Sequence, residues 1–467
     1  MKHGLLLFVA CVMVMSHSML FAINKNQSIE YVRSLNRNAS TDVDATFYNP
    51  AGLTKLNDGL HMQFSNQTIL QTKTIEDDNP AIETYGDDEY LGNVNAYFFP
   101  DLHVAYKMGK FAFFGNMMPI GGGGGGEYDD GLPQFELMAL GLVNGVGTGV
   151  IQQAGQNYGE AAVSSASFQF TDYSANIAFE GEEYNLCWTL GTAYEINTMF
   201  SVAGAYRLTR SYRHYTGHAK NISATYNYSD AATDELNAGM AESANQALAA
   251  QDDVELDTER IGWGHTFIAG VNVAPMDAMN IGFRMEYSLE QEAEYKTDTL
   301  EGPDDIKDVL EDSYGDGKKE KITEPLEFGL GVSYFITDDL RVEADLTYSF
   351  NTEVDHDGKE DDYKNMIFAG AAVEYRVLPQ LLVSSGYAYD SGNREDEGRE
   401  ETNFGLAVHH IALGGQYEII EDLDIGLGYI YSIYQEGTRE YSSNGETYEQ
   451  KLNQTSQTIG IGVNYSM

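Results

Sequence analysis

Between residues 340 and 350 apolar and polar side chains alternate without a break. Leu340, Val342, Ala344, Leu346, Tyr348 and Phe350 hold one register, and Arg341, Glu343, Asp345, Thr347 and Ser349 hold the other. Successive side chains on a β-strand point to opposite faces, so this segment builds one oily face and one charged face. A soluble sandwich would set the oily face on a second sheet and the charged face in water. A membrane barrel sets the oily face against lipid and the polar face towards a wet lumen, crossing in roughly 9–11 residues. Repetition favours the barrel. Met279, Ile281, Phe283, Met285, Tyr287 and Leu289 alternate with Asn280, Gly282, Arg284, Glu286 and Ser288, and the pattern returns at 326–334, 367–377, 411–431 and 459–467. Aromatic residues fall near the ends of these sets, where an interfacial girdle would lie.

The connections come in two kinds that take turns. Short ones lie near 108–109, 195–198, 275–279, 337–339, 378–380 and 421–422; long polar ones lie at 76–90, 119–181, 214–253, 297–320, 355–362, 391–401 and 437–447. Outer-membrane barrels combine short periplasmic turns with long outer loops, and the strands between these connections number about 14, an even count as such barrels require. The expected fold class is all-β: a transmembrane antiparallel β-barrel whose N-terminus is periplasmic.

Charge and cysteine usage narrow the function. A net charge of −45 excludes nucleic acid, whose phosphates demand a basic surface. Lys2 and His3, the apolar run 5–15 and Leu20-Phe21-Ala22 read as a secretory signal over residues 1–22. Cys11 leaves with it, so Cys187 stands alone and no intramolecular disulfide is possible. No Gly-x-Ser-x-Gly, His-Glu-x-x-His or P-loop occurs, so no catalytic residue and no enzymatic activity are expected. His409 and His410 are adjacent and face opposite sides of a strand. The acidic run 355–362 lacks the ligand spacing of a calcium loop and reads as a solvated loop. Neither a metal nor a cofactor is expected.

Three features exceed a generic porin. Residues 23–57 are too polar to cross a membrane and contain Asn49-Pro50-Ala51-Gly52-Leu53. Phe99-Pro100-Asp101 precedes a strand at 111–118, which runs into Pro119-Ile120 and six glycines, Gly121 to Gly126. The long connection after it is oily, and Phe135, Met138, Leu142 and Val146 recur at helical spacing within it, although Gly141, Gly145, Gly147 and Gly149 oppose a helix. Apolar groups on an outer loop must be covered, either by folding over the rim or by an apolar ligand that lands there.

On these residues the chain resembles the FadL family of long-chain fatty-acid and hydrocarbon transporters. Asn49-Pro50-Ala51 matches the run in that family's N-terminal hatch, and Pro119-Ile120-Gly121 loosely matches its turn after the third strand. The resemblance implies a hatch over residues 23–57 inside a barrel over 58–467. It also implies uptake of long-chain fatty acids or other hydrophobic molecules, with sideways release at a kinked third strand. The chain departs from the family's pattern in its long acidic segment 214–253 and in ending on Met467 where such barrels commonly have an aromatic. Among inward-facing groups, Arg207, Arg284, Arg341 and Arg376 share the expected lumen with Glu286, Glu343, Asp345 and Glu374. These form cross-strand ion pairs, or else Arg207 and Arg284 meet a ligand carboxylate. The expected partners are a hydrophobic small molecule and the outer-membrane lipid around a monomer. A diffusion porin and a surface adhesin or structural barrel are the alternatives.

Overall fold

The computed structural model describes residues 27–467 except Asp88, Gly123 and Asn444, and the signal expected at 1–22 lies outside the described residues. Eighteen strand segments among these residues join one antiparallel sheet. Four staves are each broken into two segments, leaving fourteen. In chain order they are β1 (Gly59–Asp77), β2 (Tyr90–Met108), β3 (Phe111–Pro119, resuming at Gly124–Tyr128), β4 (Ser167–Glu195) and β5 (Phe200–Ser229). β6 (Val254–Met276), β7 (Met279–Ser288 and Glu292–Glu301), β8 (Lys319–Lys321 and Glu327–Thr337), β9 (Leu340–Ser349) and β10 (Met366–Leu378) follow. β11 (Leu381–Asp390), β12 (Val408–Ile420), β13 (Leu423–Tyr434 and Gly437–Ser443) and β14 (Glu446–Ser466) complete the ring. β14 closes on β1 from His61↔Ser466 to Asp77↔Gln450, so the barrel has no free sheet edge at its seam.

The alternation sorts as a membrane barrel requires. On β9, Asp345 is buried while its neighbour Leu346 is 45% exposed. Charged groups point inward and apolar ones outward, the inverse of a water-soluble fold. Phe111, Tyr194, Phe200, Phe335, Tyr375, Tyr417 and Tyr465, all at the short-turn end, are exposed and form an aromatic girdle. The short turns there are tight, and Gly109 and Asp422 adopt left-handed backbone that glycine and aspartate tolerate.

At the other end the strands run on into the loops. Residues 119–181 are not one irregular connection: β3 resumes at Gly124–Tyr128, a helix covers Pro133–Tyr158, and β4 begins at Ser167. Likewise β5 continues to Ser229 inside the segment expected to be loop. Beyond the lipid no face has to be apolar, so the alternation that marks a strand fades while the hydrogen-bonded ladder continues. Tyr90, Tyr128, Leu132, Phe179, Tyr215, Leu256, Tyr314 and Phe404 meet over the lumen in an apolar roof.

Candidate ligand pathway

The N-terminal segment lies inside the barrel. Helix α1 (Ile29–Ser34) is capped by Ser28, whose hydroxyl accepts from the Tyr31 N–H at 3.0 Å; α2 (Ala45–Tyr48) and a 3₁₀ turn over Pro50–Lys55 follow. Pro50 starts the turn, where its missing N–H costs nothing. The Asn49 amide ties this bend outward, donating to Ser40 O at 2.9 Å and to Asn272 Oδ1 on β6 at 2.7 Å. Ala51 O accepts from the Ser201 hydroxyl of β5 at 2.8 Å. The wall carries a mould of this segment: a Cβ on Gly282 would sit 2.0 Å from Asn38 O, and one on Gly386 would sit 1.9 Å from Ser34 O. Gly282 lies on the lumenal register of its strand, among Asn280, Arg284 and Glu286. Glycine on the polar face of an alternating strand was the available signal.

Charge ties the segment down further. Arg33 pairs with Glu374, which Arg341 also reaches at 2.6 Å. Asp345 accepts the Asn38 N–H at 2.7 Å and Glu343 accepts the Ala39 N–H at 2.9 Å. Arg207 makes two bonds to Glu286, at 2.7 and 3.1 Å. Arg284 binds Glu327 at 2.8 Å and donates to Phe47 O and Tyr48 O at 3.0 and 3.2 Å. The Phe47 ring has the Arg207 and Arg284 guanidiniums 4.6 and 5.5 Å from its centre. Both candidate carboxylate partners are thus matched by protein carboxylates, and Arg284 but not Arg207 borders the cavity described below. Arg376 holds the lumenal register but lies at the short-turn mouth, exposed beside Gln416 and Asp424 and donating to Pro379 O at 3.1 Å.

The oily stripe divides between two packings. Phe135 and Met138 are buried in the roof, the Phe135 ring 5.6 Å from Phe179. Leu142 and Val146 are half-buried beside Tyr226, Tyr228 and a second helix, Asp234–Ala249. Of the helix's glycines Gly147 packs closely, since a Cβ there would meet the Phe168 ring at 2.4 Å, whereas a Cβ on Gly145 or Gly149 would meet nothing within 4 Å. The Tyr226 and Tyr228 hydroxyls donate to Val143 O and Gly147 O. Elsewhere Lys321 pairs with Asp355 and Asp357 of the acidic loop, and His409 faces outward to the Tyr387 hydroxyl at 2.8 Å while His410 faces the lumen.

Between roof and N-terminal segment lies a cavity of about 200 Å³. Tyr31, Leu35 and Tyr48 border it below, and Tyr128, Phe179 and Phe404 border it above. It reaches Gly122 and Gly126, beside a discontinuity in the wall. β2 and β3 pair from Met108↔Phe111 to Leu102↔Met117, and among the described residues resume only from Asn95↔Gly125 to Asn93↔Glu127. Pro119 has no N–H to offer there, and Ile120 N–H bonds Asn185 O of β4 at 2.7 Å. A register shift between β1 and β2 leaves Tyr97 and Phe98 both outward and strongly exposed at this place. Behind it Met118, Ile120 and Cys187 are buried against Phe47 and Tyr48.

No protein-family model matches the chain and no curated relative does. Solved structures do. The P. putida toluene transporter TodX is 13% identical, with 95% of this chain and 99% of that one covered and a TM-score of 0.59. A Pseudomonas aeruginosa FadL homologue is 12% identical over 96% and 99%, with a TM-score of 0.62. The Ralstonia pickettii toluene transporter TbuX is 12% identical over the same shares, with a TM-score of 0.56. A closed fourteen-stranded wall, an N-terminal segment folded inside it and these likenesses together give the chain the fold of the FadL-type transporters.

Proposed function

We propose that this protein is an outer-membrane channel for uptake of hydrophobic small molecules, long-chain fatty acids or other apolar compounds among them. The ligand meets the outer roof, occupies the cavity and leaves sideways between β2 and β3 once the N-terminal hatch yields. The long loops then face outward, and the short turns and the N-terminus face the periplasm. One observation carries this reading: the apolar borders of the cavity lead to the place where β2 and β3 stop pairing, and Met118 and Ile120 line that exit. A hatch bonded to β5, β6, β9 and β10 supports a gated route over a diffusion porin.

The test is uptake by cells lacking their own hydrophobe channel, given labelled oleate, toluene or a small sugar. Entry of oleate or toluene without the sugar supports the channel; sugar entry alone makes it a porin. Met118→Asp with Ile120→Asp places charge on the sideways exit. Uptake is expected to fall while the barrel keeps its heat-modifiable gel mobility, and unchanged uptake would mean an axial exit.

A further inference from the structure

The cavity is lined unequally. Tyr128, Phe179 and Tyr215 on β3, β4 and β5 give an aromatic flank, with the Phe179 and Tyr215 rings 5.5 Å apart. On the flank built by β1, β14, β13 and β12 a row of hydrogen-bonding groups crosses four strands at one level. Gln71 is paired with Ser456, Ser456 with Ser432 and Ser432 with His410, and all four border the cavity. The row contains no carboxylate, ammonium or guanidinium group. His410 Nδ1 and the Ser432 hydroxyl are 2.8 Å apart, so the two polarise each other. Above the row Asn393 borders the same cavity, and its buried Oδ1 finds no hydrogen-bond partner among the described residues.

The cations at the cavity are all engaged. Lys73 donates to Thr402 O at 2.6 Å and stands over the Phe404 ring. Arg37 is held by Asp44 at 2.8 Å and by Asp42 at 2.5 Å, and Arg284 by Glu327 at 2.8 Å. Glu327, Asp345 and Asp390 add carboxyl groups to the same lining. A free carboxylate would crowd these carboxyl groups, and every cation it could reach is already held, Arg37 and Arg284 by carboxylates and Lys73 by the Thr402 carbonyl. A hydroxyl has neither difficulty: it can donate to Asn393 Oδ1 or to the row and accept from Ser432, Ser456 or Gln71. We propose that the cavity is a binding site for an uncharged apolar molecule bearing a hydroxyl group. Its skeleton lies on the aromatic flank and its oxygen on the row Gln71–Ser456–Ser432–His410. This rests on the uptake reading above and names the ligand class that reading leaves open.

Equilibrium binding of labelled dodecane, dodecan-1-ol and dodecanoate to the full chain in lipid nanodiscs tests it, each affinity being referred to partition into protein-free discs. The alcohol is expected to bind about tenfold better than the alkane or the carboxylate, the effect of one or two net hydrogen bonds. Ser432→Ala with Ser456→Ala, and separately Asn393→Leu, should erase most of that preference for the alcohol over the alkane. Heat-modifiable mobility shows whether each variant has closed, and where one has not, the parent protein's series decides alone. Dodecane equal to dodecanol, dodecanoate equal or better, or a preference that survives both variants overturns the hydroxyl site and leaves the channel reading standing. Absence of binding by all three overturns both.

Discussion

Where residues 27–56 meet the wall, apolar packing is joined by buried ionic and hydrogen-bonded contacts: Arg33 to Glu374, Asn38 to Asp345, Asn49 to Asn272. Where the loops meet over the outer end the contacts are rings and aliphatic chains, with Phe135, Tyr128, Phe179 and Leu256 in one cluster. Both regions close the same lumen, yet they answer perturbation differently. An apolar roof tolerates repacking and slides, since its attraction is non-directional. A hatch held by matched donors and acceptors has one docked position, and losing a partner leaves a buried group unsatisfied. The contrast suits a roof that admits molecules of varied shape above a hatch that is either seated or not.

The sharpest break in that contrast comes from the wall glycines. Gly386→Val forces a side chain where Ser34 O already lies, so the hatch cannot seat although the barrel strands can still pair. Planar-bilayer conductance should change from closed to open, with residues 27–56 becoming cleavable by protease. A closed, resistant variant would mean that the segment is free to shift within the lumen. Next in size is Glu286→Ala, which strands Arg207 and removes one of the Arg284 contacts. Truncating one side of a buried pair costs about 3–5 kcal/mol, and adding Arg207→Ala should recover part of it. Denaturant midpoints of the single and double variants measure this.

Asn49→Ala with Pro50→Ala removes the bonds to Ser40 and Asn272 and should alter permeability with the barrel folded. Conductance and uptake both equal to the parent's would deny the bend a gating role. On the roof, polar replacement of Phe135, Met138, Leu142 and Val146 together should lower hydrophobe uptake per folded barrel. Reduced stability at unchanged uptake would make the stripe a cover alone.

The mildest effect is pH on the roof. Burial pushes Glu401 up to about 7. Gln450 bridges its carboxylate to that of Asp77, with bonds of 2.7 and 2.8 Å; Arg439 lies 3.7 Å away, and Glu401 also accepts the Gln134 N–H at 3.3 Å. The folded roof therefore keeps a proton that the unfolded chain gives up near 4.5. Its stabilisation is full below that value and is lost as pH rises through about 7. Hydrogen exchange over residues 391–407, corrected for intrinsic rate, should show stronger protection at pH 5 than at pH 8. Glu401→Gln should flatten the profile, and a reversed slope would show that the Arg439 pair dominates.

Much of this architecture was legible as text. A period of two is a local property, so residues 340–350 announced a strand with one face for lipid before any partner was known. Asn49-Pro50-Ala51 announced a bend for the same reason, since proline acts on its own and its neighbour's backbone. The expected ion-pair ladder was legible only as a set of charges. That Arg207 faces Glu286, that Arg33 shares Glu374 with Arg341, and that Arg376 ends at the mouth depends on register between strands. The break between β2 and β3, the glycine mould around Asn38 and Ser34, and the row Gln71–Ser456–Ser432–His410 are likewise products of pairing. Local side-chain chemistry determined that the chain makes strands and which face of each is oily. Which lumenal groups meet was decided by the closed sheet, because antiparallel register brings together residues far apart in the chain and no local pattern encodes that alignment.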